Sequence, residues 1–297
     1  MNIQFIKYRK IYFIFSGILV LISLISLSIF GLRWGVDFVG GSLLEVEFKE
    51  TRLSSEEIKT ELKDIDLGEI IIQPTGEKGV IIRMKATDVE TRETVIESLK
   101  NRQELIVMRN DLVGPVIGRE LRDSVRIIII LGLLVIVGYI AFAFRRVSVP
   151  VASWQYGIVS LIALFHDLLI TLGVFAILGF LYYVEITIPI ITALLVILGY
   201  SINDSVVIFD RIRENLIKNK GLTYEEIVNI SLNQTLVRSI SASFTTLLPI
   251  IAIFFFGGIT LKYFALALII GIILGSYSSI FLASPLLVSW LGKKSKI

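Results

Sequence analysis

The stretch "GYSINDSVVIFDRIREN", residues 199–215, places a carboxylate inside an apolar run. Across residues 186–209 Asp204 is the one charge, with Ser201, Asn203 and Ser205 beside it. Fourteen residues of that run are Leu, Ile, Val or Phe. At roughly −0.3 to −0.6 kcal/mol each, they favour insertion into a bilayer by about 4–8 kcal/mol, against a cost of about 2.5–3.5 kcal/mol for one central Asp. The segment therefore inserts as a helix with its acid aboard. An Asp on the lipid face would forfeit much of that margin, so Asp204 is expected to face a bundle interior.

The rest of the chain fits a membrane solvent. Its 297 residues are 55% hydrophobic and 19% charged, with a mean hydropathy of +0.80. A soluble domain of this length would expose far more charge. A helix crosses about 30 Å of hydrocarbon with roughly 20 residues. The uncharged runs predict six spans, at 11–32, 126–145, 154–180, 186–209, 238–258 and 264–289. The 22-residue apolar run of the first exceeds that of a cleaved signal, so it reads as a retained anchor.

Charge placement sets the orientation. Lys7, Arg9 and Lys10 precede the first span, and Arg145 and Arg146 follow the second. Arg211, Arg213, Lys218 and Lys220 follow the fourth, and Lys293, Lys294 and Lys296 lie beyond the sixth. Six spans put every basic cluster on one side, which is then cytoplasmic. Both termini and the 210–235 loop are expected there. Splitting the long third region into two spans would invert the later clusters.

Residues 33–125 differ in kind, with 14 Lys and Arg against 19 Asp and Glu. This is soluble-domain chemistry, placed outside the cytoplasm by the same count. "SLLEVEFK" alternates with period two and predicts a strand. Ser54 with Glu57 forms a capping box ahead of a helix. "EIIIQP" and "GVIIRMKA" flank a turn at 75–78, "DVETRETVIESLKN" predicts a second capped helix, and "ELIVMRN" a last strand. The order βαββαβ suggests a ferredoxin-like fold. The expected class is thus an α-helical integral membrane protein of six spans with an α+β ferredoxin-like extracytoplasmic domain. Its segments are 1–33, holding the first helix; 34–125, the extracytoplasmic domain; and 126–297, a five-helix transmembrane domain.

Residues 33–125 show no Gly-rich phosphate loop, no paired carboxylates with evident geometry and no metal-ligand cluster, and no cofactor is expected. The chain has no Cys and one His, which excludes thiolate chemistry and a multi-histidine metal centre. Binding or motion suits it better than catalysis, and nothing points to nucleic acid.

Asp204 needs a partner. Arg211 lies two turns on, about 11 Å along the axis, too far for a direct pair. Arg238 is the better choice, because a capping box at Thr223 and Glu226 starts a helix that carries it into the fifth span near the depth of Asp204. Arginine keeps its proton, so in such a pair the carboxylate titrates. His166 and Asp167 in the third span, and Ser239, Ser241, Ser243, Thr245 and Thr246 in the fifth, extend a polar seam. Two readings stand for Asp204 with Arg238: a static pair that fixes helix register, and a protonation-switched element. His166 and Asp167 read as a proton relay or as interhelical hydrogen-bond glue. The hydroxyl ladder reads as backbone bonding, Gly271 and Gly275 as a close helix contact, and Pro249 as a kink.

The 199–215 motif resembles the fourth-span signature of the SecF family of bacterial protein-export membrane subunits. "WGVDFVGG" at 34–41, "VGPVIGRELR" at 113–122, "HDLLITLG" at 166–173 and "NQTLVRSISAS" at 233–243 follow in that family's order. The resemblance implies a subunit of the bacterial cytoplasmic membrane that pairs with a SecD homologue. It implies assistance to SecYEG-dependent export, with the proton-motive force moving extracytoplasmic domains on the translocating polypeptide. Carried over, Asp204 matches the family's proton-pathway acid, Arg238 its fifth-span arginine, and His166 and Asp167 its third-span pair. Gly35, Asp37, Gly40 and Gly41 match the signature after the first span and read as structural. Two rivals remain: an intramembrane aspartyl protease, whose GxGD context is missing, and half of a proton-driven small-molecule or lipid exporter.

Overall fold

The computed structural model describes residues 3–85, 87–143, 152–219 and 221–291. The basic residues Arg145, Arg146, Lys220, Lys293, Lys294 and Lys296, used above for orientation, lie outside them. The chain divides into two compact units. One comprises Met1–Leu32, Ile128–Val184 and Pro189–Ile297, the other Arg33–Ile127 and Glu185–Ile188.

The first unit is helical. Among the described residues, six helices are long and apolar enough to cross a membrane: Ile6–Phe30, Pro115–Ile140, Trp154–Tyr182, Ile188–Lys218, Tyr224–Phe256 and Leu261–Trp290. The full elements are α1 (Arg9–Phe30), α5 (Pro115–Ala143), α6 (Ser153–Tyr182), α7 (Ile188–Lys218), α8 (Tyr224–Phe256) and α9 (Ile259–Ser278). A π-helical turn, Ser279–Ala283, follows α9 and leads into α10 (Ser284–Leu291).

The helices outrun the predicted spans for local reasons. Proline at the first position of α5 lacks an N–H that would be unpaired there anyway, so the helix starts at Pro115, well before its apolar run. Much of the polar 210–235 segment is helical. Arg211–Glu214, Arg213–Asp210 and Lys218–Glu214 pairs at three- and four-residue spacing carry α7 on to Lys218. The capping box at Thr223 and Glu226 then opens α8, which runs through Pro249 without a break.

Small residues set the packing. A Cβ at Gly271 on α9 would strike Ile197 on α7, and one at Gly275 would lie 3.0 Å from the Ser201 Cβ. A Cβ at Gly173 on α6 would strike Ser23 on α1. These contacts bring helix backbones close, as small-residue interfaces do in lipid. At one end of the bundle the N-terminal segment is docked on α8. Asn233 accepts from the Ile3 N–H at 2.9 Å and donates to the Ile3 carbonyl at 2.8 Å. Phe5 and Ile6 are buried in the same core as Phe209, Ile212 and Ile227.

The second unit carries a short helix α2 (Val36–Val39), strands β1 (Gly41–Phe48), β2 (Ile71–Thr75), β3 (Gly79–Met84) and β4 (Leu105–Val113), and helices α3 (Ser55–Glu61) and α4 (Val89–Arg102). The elements after α2 follow the order β-α-β-β-α-β, and the antiparallel sheet is ordered β2-β3-β1-β4. Leu44, Val46 and Phe48 alternate on β1 and share a core with Val80, Ile82 and Met84 of β3 and with Ile58, Val95 and Leu99 of the two helices. Ser54 and Glu57 bond reciprocally at the start of α3, and the Asp88 side chain accepts from the Thr91 N–H at the start of α4. Gly76, at φ +57, supplies the left-handed residue of the β2–β3 turn.

Candidate functional site: a buried carboxylate seam

The interior of the helical unit holds two separate hydrogen-bonded carboxylates. Asp167, fully buried on α6, accepts from Ser201 of α7 at 2.7 Å and from Ser278 of α9 at 2.7 Å, both on Oδ2. Its Oδ1 lies 2.9 Å from His166 Nδ1. His166 is buried as well, and its Nε2 makes no hydrogen bond among the described residues. The ring stacks on Tyr277, whose hydroxyl reaches Ser16 of α1 at 3.1 Å.

Asp204 sits one turn beyond Ser201 on the same face of α7 and is 4% exposed. Its Oδ2 accepts from Ser276 at 3.2 Å. Ser276 in turn pairs with Ser243 of α8 at 2.5 Å, and Ser243 accepts from the Tyr200 hydroxyl at 3.0 Å. Ser205 and Ser279 bond each other at 2.9 Å, and Ser279 also reaches the Ser201 carbonyl at 3.3 Å. The seam therefore joins α6, α7, α8 and α9. Its α9 residues, Ser276, Tyr277 and Ser278, run directly into the π-helical turn, which Ser279 begins. Such a turn shifts the register of side chains within a helix and is common at functional sites.

The structure brings His166, Asp167, Ser201, Asp204 and Ser205 into this interior. It does not bring Arg238 into direct contact with Asp204. No ion pair within 4.0 Å joins them, and Arg238 is exposed. It lines a cavity of about 190 Å³ with Asp210, Arg211, Glu214, Gln234, Thr235 and Val207. Compatible depth along two helices is thus not contact: Arg238 lines an open cavity between α7 and α8, while Asp204 is reached from α8 through Ser243 and Ser276. Asn203 is exposed too, since one residue before Asp204 is about 100° around the helix. The hydroxyl ladder largely bonds its own backbone, as Ser243 to the Ser239 carbonyl and Thr245 to that of Ser241.

Asp167 and Asp204 share no hydrogen-bond donor, unlike a catalytic aspartate dyad working on one proton. Among the described residues, no group of three or more His, Asp and Glu gathers as a metal site.

Six long apolar helices, a small mixed α/β unit between the first two, and ionisable groups buried inside the bundle define a polytopic membrane protein with an internal polar seam. The family model described as "Protein export membrane protein SecD/SecF, C-terminal" matches residues 93–293, and that of the "SecD/SecF GG Motif" matches 25–51. A curated relative from Thermobaculum terrenum, protein translocase subunit SecF, is 41% identical over 98% of this chain and 95% of its own. Its counterpart from Haemophilus influenzae is 38% identical over 94% of this chain and 83% of its own. The crystal structure of SecDF from Thermus thermophilus, a translocon-associated membrane protein, superposes with a TM-score of 0.87 at 34% identity. It covers 98% of this chain, which spans 39% of that longer one. This chain belongs to the SecD/SecF family of protein-export membrane proteins.

Proposed function

We propose that the chain is a SecF-type subunit that pairs with a SecD homologue and assists SecYEG-dependent export. In this reading Asp204 takes up and releases protons driven by the proton-motive force. The α/β unit is an extracytoplasmic, ferredoxin-like domain that moves on the translocating polypeptide. The termini and the 210–235 segment face the cytoplasm of a bacterial inner membrane.

One observation carries the proposal. Among the described residues, Asp204 is buried inside an apolar helix with a single hydrogen-bond donor, whereas Asp167 has two serine donors and a histidine neighbour. A carboxylate offers about four acceptor positions. Asp167 is held as structure, while Asp204 keeps capacity for a proton or a water. Its donor, Ser276, is a hydroxyl that can rotate to serve either protonation state. The element order and the strand order β2-β3-β1-β4 support the ferredoxin-like reading. The SecF relatives and the SecDF neighbour support the partner.

The test uses inner-membrane vesicles containing SecYEG, the SecD homologue and this chain, with preprotein export followed with and without a proton gradient. Asp204→Asn should assemble with SecD and lose the gradient-dependent share of export. Undiminished gradient dependence in that variant would remove Asp204 from the coupling.

A further inference from the structure

The motif "WGVDFVGG" at 34–41 has a structural task that involves the five-residue connection between α6 and α7. The end of that connection and the first residue of α7, Glu185–Ile188, join the helices that carry Asp167 and Asp204, yet they pack as part of the sheet unit. The Gly35 N–H donates to the Ile186 carbonyl at 2.9 Å, and the Ile186 N–H donates to the Arg33 carbonyl at 2.6 Å. Asp37 Oδ2 accepts from the N–H of Ile188 at 3.0 Å. Arg83 of β3, which also holds Gln73 of β2, lies with its Nε 2.8 Å from Glu185 Oε1, in an ion pair rather than an aligned hydrogen bond. Arg83 and Glu185 are each 12% exposed.

Ile188 is the first residue of α7. Helix starts leave N–H groups unpaired and carry a partial positive charge, which a carboxylate acceptor satisfies on both counts. Asp37 is thus a cap for α7 supplied from a segment some 150 residues away. Gly35 makes the approach possible, because a Cβ there would meet the Ile186 carbonyl oxygen and the Thr187 side chain at 3.1 Å. A few residues on, a Cβ at Gly40 would lie 2.7 Å from Pro115, where α5 starts. One short motif therefore holds the entry of two membrane helices.

We propose that Asp37 is a positioning residue that fastens the start of α7 to the sheet unit, so that movement of the helix carrying Asp204 passes into the sheet through residues 185–188. This rests on the function proposed above. A motif that only stabilised the fold would leave energy coupling alone when its hydrogen bond is lost but assembly is kept.

The experiment uses the full chain reconstituted with its SecD homologue. Spin labels go on Lys59→Cys of the sheet unit and Val196→Cys of α7, both exposed, in a chain with no native cysteine. Pulsed dipolar spectroscopy reads the distance distribution, and vesicle export with and without a gradient reads coupling. Asp37→Asn keeps an acceptor for the Ile188 N–H and should retain a narrow distribution and gradient-dependent export. Asp37→Ala should broaden the distribution and lose gradient-dependent export, with gradient-independent export unchanged. Should Asp37→Ala fail to assemble, Gly35→Ala loosens the same connection and is expected to show the same two changes. An alanine variant with an unchanged distribution, or with a broadened one and full gradient dependence, overturns the proposal while the function stands. A wild type with no gradient-dependent export overturns both.

Discussion

Asp204→Asn separates a lone buried acid from a buried ion pair by magnitude. Were Asp204 in direct, desolvated contact with Arg238, removing its charge would strand a buried cation at about 3–5 kcal/mol. The structure has Arg238 exposed and Ser276 as the donor to Asp204. An asparagine still accepts from Ser276. The loss is then the difference between a hydrogen bond to a charged group, about 1.5–3 kcal/mol, and a neutral one, about 0.5–1.5 kcal/mol. The expected destabilisation is about 1 kcal/mol. Arg238→Met, at an exposed position on the wall of an open cavity, should cost no more than about 0.5 kcal/mol. The assay is reversible unfolding in mixed micelles of the wild type, both single variants and the double variant. With no direct contact between them, Asp204 and Arg238 should show a coupling energy below about 1 kcal/mol. A coupling near 3 kcal/mol would refute this geometry and restore the direct pair.

Four further outcomes follow. Replacing Gly271 by Val drives a side chain into Ile197 and should destabilise the helical unit by about 1–3 kcal/mol, with Ile197→Ala recovering part of the loss in the double variant. Ser201→Ala with Ser278→Ala strips two donors from the fully buried Asp167 and should cost about 1–3 kcal/mol for each hydroxyl, read in the same micelle unfolding. The pH responses in the sheet unit should oppose one another, read by hydrogen exchange in the full chain. Bonds to Ser54 and Thr91 hold Glu57 and Asp88 below the ordinary carboxylate range, so their capping is present above that range and lost as pH falls through the lowered values. Burial raises Glu185 above 4.5, partly countered by Arg83, so its contribution is full below 4.5 and lost as pH rises through the raised value. For orientation, Lys59→Cys should label from outside the cytoplasm and Ile217→Cys from within, both positions being exposed. Labelling of both from one side would overturn the proposed topology.

Much of the architecture is legible in the sequence because it rests on local rules. Period-two alternation marks β1, capping residues mark the starts of α3, α4 and α8, and uncharged runs mark the six long helices. Gly271 and Gly275 are legible as a close contact because small residues four apart admit a neighbouring backbone. The partners of Asp204 are not legible in this way. Spacing along a helix names its own face, and Ser201 is on that face. Which residue of another helix arrives there depends on tilt and rotation, which a hydropathy pattern leaves open. The α9 serines do leave a trace, as "SYSS" at 276–279 inside an apolar span, a polar run that seldom sits in lipid without a partner. The grip of Asp37 on Ile188 has no local signal, because its two ends are far apart in the chain.

Proton movement through the seam is the central claim, and flux measures it most directly. Liposomes holding the SecD homologue and this chain, with a pH-sensitive dye inside and an imposed membrane potential, report it without any export substrate. The account predicts inward flux in the wild type, its loss in Asp204→Asn, and its persistence in Arg238→Lys, which keeps a cation on the cavity wall. Wild-type flux in Asp204→Asn would contradict the account.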